Sequence, residues 1–109
     1  MNSHTIRVVN DWHKRPFGRY PNHSEYCGKN FREQLLVPNL NIYDHVTVDL
    51  TGYNRYGRSF IDEAFGGLIR ENGFNESRLK EKLTITHEIL PSIVLLAWSR
   101  IESAQKEGT

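Results

Sequence analysis

At 109 residues, with 25% charged and 38% hydrophobic side chains, the chain has the size and balance of one globular domain, expected over residues 1–109 with a core over residues 5–104. A net charge of +1 argues against a strong field toward nucleic acid or an acidic membrane, and the single cysteine, Cys27, excludes an internal disulfide. No apolar run reaches the ~18 residues of a membrane span and residues 1–7 lack the apolar centre of a signal peptide, so a cytoplasmic location is expected.

In chain order, residues 5–9 (Thr5 to Val9) form a short β-type run and the first expected strand. Residues 10–24 are punctuated by Pro16, Gly18, Pro21 and Asn22 and read as loop, with a short edge strand over Phe17 to Tyr20. Lys14, Arg15, Arg19, Lys29 and Arg32 interleave here with Trp12, Phe17 and Tyr20. Residues 1–40 accordingly carry six Lys or Arg against three acids, a mildly basic face.

Gly28 to Leu36 has helical spacing at Phe31, Leu35 and Leu36, and Pro38 is expected to end that helix. His45 to Leu50 alternates with Val46, Val48 and Leu50 on one face, a strand. Thr51 to Gly57 is turn-rich. Ser59 then opens a helix to Asn72 whose apolar stripe is Phe60, Ile61, Ala64, Phe65, Leu68 and Ile69. Ser59 reads as its N-cap, with Asp62 three residues on, and Gly73 as its stop. A short helix over Asn75 to Lys82, a strand over Leu83 to Thr86 and a helix from Leu90 to Gln105 complete the chain. The alternation implies an α/β fold with a small, mostly parallel or mixed sheet of about four strands backed by helices.

The chemistry-bearing residues are sparse. His4, His13, His23, His45 and His87 show no metal-ligand spacing, so neither a metal nor a cofactor is expected. Cys27 precedes a helix start and is either a reactive thiol near His23 or a small residue at a helix entry. Asp62 and Glu63 are adjacent on a helix, point in different directions, and suit the positive helix start better than acid–base catalysis. No nucleophile–base pair emerges, so an enzyme is not expected. Gly66-Gly67 lies inside a helix pattern and suggests close approach of a neighbouring backbone.

The most unusual segment is Tyr53, Asn54, Arg55, Tyr56, Gly57, Arg58, set between a strand end and a helix start. In open parallel sheets that edge receives ligands and partners. With Asp62 and Glu63, these side chains form the expected partner-binding surface. Ser59 is either a cap alone or a hydroxyl whose phosphorylation would add about −1.5 to −2 charges to that surface.

Four strings carry a family resemblance: Cys27-Gly28-x-x-Phe31-Arg32-Glu33; Leu35-Leu36-Val37-Pro38-x-Leu40; Val46-Thr47-Val48-Asp49-Leu50-x-Gly52; and Gly57-x-Ser59-Phe60-x-x-Glu63-Ala64-Phe65-Gly66-Gly67-Leu68. They resemble a bacterial family of STAS-like domains of unknown function, and Gly18-Arg19-Tyr20 fits that family's start. The resemblance implies a fold similar to the anti-sigma factor antagonists, in which a partner of the histidine-kinase-like ATPase type phosphorylates a serine at a helix start and so breaks their complex. Carried over, Ser59 is the candidate switch hydroxyl. The antagonists have Asp-Ser-Ser-Gly where this chain has Arg58-Ser59-Phe60, and a second alignment sets Asp62-Glu63-Ala64 over that motif. The expected function is a regulatory protein–protein interaction module. A small-ligand or nucleotide sensor is the alternative, and a weak nucleic-acid binder a further one.

Overall fold

In the computed structural model, which describes residues 2–108, three strands form one parallel sheet: β1 (Ser3–Arg7), β2 (His45–Asp49) and β3 (Leu83–Thr86), in the order β1-β2-β3. Ile6, Val48 and Ile85 stand in one row of the register and Thr5, Thr47 and Thr84 in the next. The apolar row is buried with Val46 and Leu83, while Thr5, Thr47 and Thr84 are exposed or half-buried. Period-2 alternation therefore assigns one face to the core and leaves the other polar.

The expected fourth strand is absent among the described residues. Phe17 to Tyr20 is irregular because its backbone is engaged elsewhere. The Gly18 carbonyl accepts from Gly28 N–H at 2.9 Å and the Arg19 carbonyl from Lys29 N–H at 3.1 Å. These donors open a helix and lack intrahelical partners, so the loop satisfies them in place of joining the sheet. The first strand also ends earlier than expected. Asp11 Oδ2 accepts the Arg7 N–H at 2.8 Å, and residues Val8–Trp12 turn into a single wide helical loop.

Helix α1 (residues 28–42) runs straight through Pro38, contrary to the expected stop. It comprises Gly28–Phe31, a wide i→i+5 turn over Arg32–Leu36, and Val37–Ile42. In the wide turn the Val37 N–H bonds the Arg32 carbonyl. Widening ahead of the proline makes room for a ring that would otherwise strike the carbonyl four residues back. Helix α2 (residues 58–70) repeats the device, with a wide turn over Asp62–Gly66 between Arg58–Ile61 and Gly67–Arg70. Gly73, at φ 76°, and a bond from Phe74 N–H to the Leu68 carbonyl close it.

Helix α3 (Glu76–Lys82) is capped by Asn75, whose side chain accepts the Arg78 N–H at 2.8 Å. Helix α4 (Pro91–Glu107) follows β3, with Pro91 in its first turn as expected. The core joins Ile6, Val46, Val48, Leu83 and Ile85 of the sheet to Phe31, Leu36 and Leu40 of α1, Phe60, Ile61, Phe65 and Leu68 of α2, and Ala97 and Ile101 of α4. Among the described residues no helix is long and apolar enough to cross a membrane.

Candidate functional site

The loop from Thr51 to Gly57 leaves the carboxyl end of the central strand, and its first residues are held firmly. Asp49 Oδ1 accepts the Thr51 N–H at 3.0 Å, and Thr51 Oγ1 accepts the Glu88 N–H at 2.9 Å. Gly52, at φ 104°, turns the chain where a side chain would also press on Val9. Buried His87 accepts the Ile89 and Leu90 N–H groups at Nδ1, which leaves its Nε2–H to donate to the Tyr53 carbonyl at 3.0 Å.

Tyr56 is the loop's inner anchor. It lies in the core between Tyr53 and Phe60, and its hydroxyl donates to the Leu50 carbonyl at 3.1 Å. Burial, with the charge of Asp49 and Tyr53 adding to it, pushes its pKa well up. Tyr56 thus offers no surface to a partner. Asn54, Arg55 and Arg58 are exposed and Tyr53 is half-buried.

Two open clefts meet at Arg55. One, of about 490 Å³, is lined by Arg15, Gly52, Tyr53, Asn54 and Arg55. The other, of about 640 Å³, is lined by Phe17, Gly18, Asn22, His23, Arg55, Gly57 and Ser59. The long N-terminal loop, with Arg15 and Phe17 of its basic and aromatic stretch, therefore supplies half of the site. Ser59 is not the N-cap. Gly57 occupies that position without a side-chain bond, and Ser59 is the second residue inside the helix, half-buried, its hydroxyl without a hydrogen bond among the described residues.

Asp62 and Glu63, expected to face a partner with that loop, belong to an ion cluster that is buried at Glu63 and half-buried at Asp62. Asp62 accepts from Arg19 Nη1 at 2.6 Å, Arg100 Nε at 3.0 Å and Arg70 Nη2 at 3.1 Å. Glu63 is only 5% exposed and pairs with Arg32, itself 1% exposed, at 2.9 Å. Arg32 also donates to the Glu63 backbone carbonyl. Burial tends to raise the Asp62 pKa, but the hydrogen bonds from Arg19, Arg70 and Arg100 hold it below the usual carboxylate range.

The glycines explain how the cluster fits. A Cβ on Gly67 would collide with the Arg32 guanidinium, and one on Gly28 would lie 2.6 Å from the Phe60 carbonyl. Gly67 thus admits a guanidinium from α1, while at Gly66 a Cβ would lie 3.3 Å from the Arg100 backbone carbonyl of α4, the close backbone approach that the sequence suggested. Cys27 is fully buried at the start of α1, and among the described residues no His, Cys, Asp and Glu group could hold a metal ion.

A three-stranded parallel sheet with helices on one face, its inner acids paired and its carboxyl edge lined with free arginines, defines a small α/β domain of the STAS-like kind. Residues 27–90 match the family model described as a STAS-like domain of unknown function (DUF4325), and the chain belongs to that family. The match spans the motifs from Cys27 through Leu68, and Gly18-Arg19-Tyr20 lies outside it. No curated protein and no solved structure matches the chain.

Proposed function

We propose that this chain is a regulatory protein-interaction module, similar in use to the anti-sigma factor antagonists, and that it binds its partner without catalysing a reaction. The observation that carries this reading is the loop over residues 52–58. Its first residues and Tyr56 are fixed to the fold, yet Asn54, Arg55 and Arg58 are exposed with no protein partner among the described residues. A surface held rigid but left unpaired loses little entropy on binding. Exposed Phe17 shares a cleft with it and offers apolar area suited to a protein contact.

The finer reading makes Ser59 the switch and a histidine-kinase-like ATPase the partner. It is supported by the unengaged Ser59 hydroxyl and by Arg55 in the same cleft, where a phosphate would add about −1.5 to −2 charges. Co-expression with an ATPase of that type from a neighbouring reading frame tests both parts. Co-purification with the wild-type chain is expected, lost when Arg55 and Arg58 are both changed to Glu, with ATP-dependent phosphate on Ser59 by mass spectrometry. Undiminished binding by the double variant would sink the docking surface. Equal partner affinity for Ser59→Ala and Ser59→Asp would remove Ser59 from the mechanism.

A further inference from the structure

Seven of the nine arginines of this chain fall into two groups, with Arg7 on β1 and Arg78 on α3 outside both. Arg19, Arg32, Arg70 and Arg100 each meet Asp62 or Glu63. Arg15, Arg55 and Arg58 meet no carboxylate among the described residues, and all three stand at the carboxyl end of the sheet, where the loops after β1 and β2 come together. Neither of the clefts that share Arg55 has a carboxylate in its lining. In a chain with a net charge of only +1, three guanidinium groups without a carboxylate partner are therefore gathered at one end. Beside it, Phe17 is 51% exposed and lines the second cleft with His23.

We infer that the segment of the partner that docks here is an acidic peptide stretch carrying an apolar side chain: its carboxylates bind between Arg15 and Arg55, and its apolar group rests on Phe17. This inference rests on the interaction reading above and names the partner's chemistry. Charge complementarity selects an acid. Guanidinium forks match carboxylates in a bidentate way, and without an internal acid to displace they bind at no exchange cost. The exposed aromatic ring selects a peptide over a nucleic-acid backbone, because two cleft arginines in a nearly neutral chain are far short of a phosphate-tracking stripe.

Fluorescence anisotropy with a short labelled peptide of mixed Glu and Phe tests this, beside its counterpart with Gln for Glu and a single-stranded oligonucleotide. The wild-type chain should bind the Glu peptide and lose it as salt rises, while the Gln peptide binds far more weakly. Arg55→Glu should weaken the Glu peptide about tenfold or more, Arg15→Glu should weaken it in the same direction, and the distant Arg78→Glu should leave it unchanged. Arg55 and Arg15 are exposed and unpaired, so an unchanged thermal midpoint will show that those variants fold. Equal binding of the Glu and Gln peptides, no binding of either, or wild-type binding by Arg55→Glu would overturn the inference. An oligonucleotide that binds more tightly than the Glu peptide would overturn it in favour of a nucleic acid. If the co-expressed partner is captured through a salt-insensitive contact that Arg55→Glu does not disturb, the acidic segment is wrong while the interaction reading stands. If no partner is captured at all, the interaction reading itself fails.

Discussion

Arg32 and Arg55 are the same residue type with opposite surroundings. Arg32 is buried between α1 and α2, bonded to Glu63 through both its side chain and its backbone carbonyl. Arg55 stands in solvent between two clefts with no acid beside it. A guanidinium taken out of water must be paired, because the desolvation penalty is several kcal/mol per ion. One left in water has no such need and remains available to a partner. The buried cluster therefore belongs to the fold, and the exposed end to recognition.

The largest expected effect breaks the buried side of this contrast. Arg32→Ala should take from Glu63 its closest partner in the core, leaving only the longer contacts from Arg19 at 3.3 Å and Arg70 at 3.8 Å, and cost up to about 3–5 kcal/mol by urea denaturation. Replacing both residues together, as Arg32→Met with Glu63→Leu, should recover much of that loss. Gly28→Ala comes next. Its Cβ would lie 2.6 Å from the Phe60 carbonyl, so α1 and α2 must separate, at roughly 1–3 kcal/mol despite alanine's better helix propensity.

Tyr56→Phe removes the bond to the Leu50 carbonyl while keeping the ring, so about 1 kcal/mol should be lost in the same measurement. The pH dependence sharpens the role of Asp62. Its pKa is depressed in the folded chain, so its ionised form stabilises the fold above the unfolded value of about 3.9. That contribution disappears as the pH falls through the lower, folded value. An acid titration should therefore show a steeper loss of stability below about pH 4 for the wild type than for Asp62→Asn. The smallest effects belong to the exposed side. Arg55→Ala and Ser59→Ala should each change stability by less than about 0.5 kcal/mol, because neither side chain bonds to the fold. A large loss at either position would break the comparison.

Much of the fold was legible because it rests on local pattern. The stripe from Phe60 to Leu68 is buried as its period required, and the alternation in β2 assigned the core face correctly. The stop at Pro38 was misjudged because a proline argues against an ordinary helical turn, and only the packing of α1 shows that the preceding turn is widened. The edge strand at Phe17 to Tyr20 was misjudged because β-type residues do not reveal that their carbonyls cap a distant helix start. The cap was misplaced by two residues, at Ser59 for Gly57, since serine is the commoner cap and glycine carries no side-chain signal.

The candidate site divides along the same line. The loop over residues 53–58 was visible as a polar, turn-rich break between strand and helix. Its composition could not separate buried Tyr56 from exposed Arg55, because both suit a loop and only the core behind Phe60 distinguishes them.

By itself, then, the sequence determined where the three sheet strands and the helices begin to within a few residues, and the family motif, since each depends on neighbours within a turn or two of chain. Only the tertiary structure decided which charges are internal. Glu63 meets Arg32 across 31 residues of chain and Asp62 meets Arg19 across 43, separations at which no helical or strand period relates one side chain to the other. Burial between two helices pairs Arg32 with Glu63, the loop before α1 brings half-buried Arg19 to Asp62, and at the sheet's carboxyl end Arg15, Arg55 and Arg58 stay free.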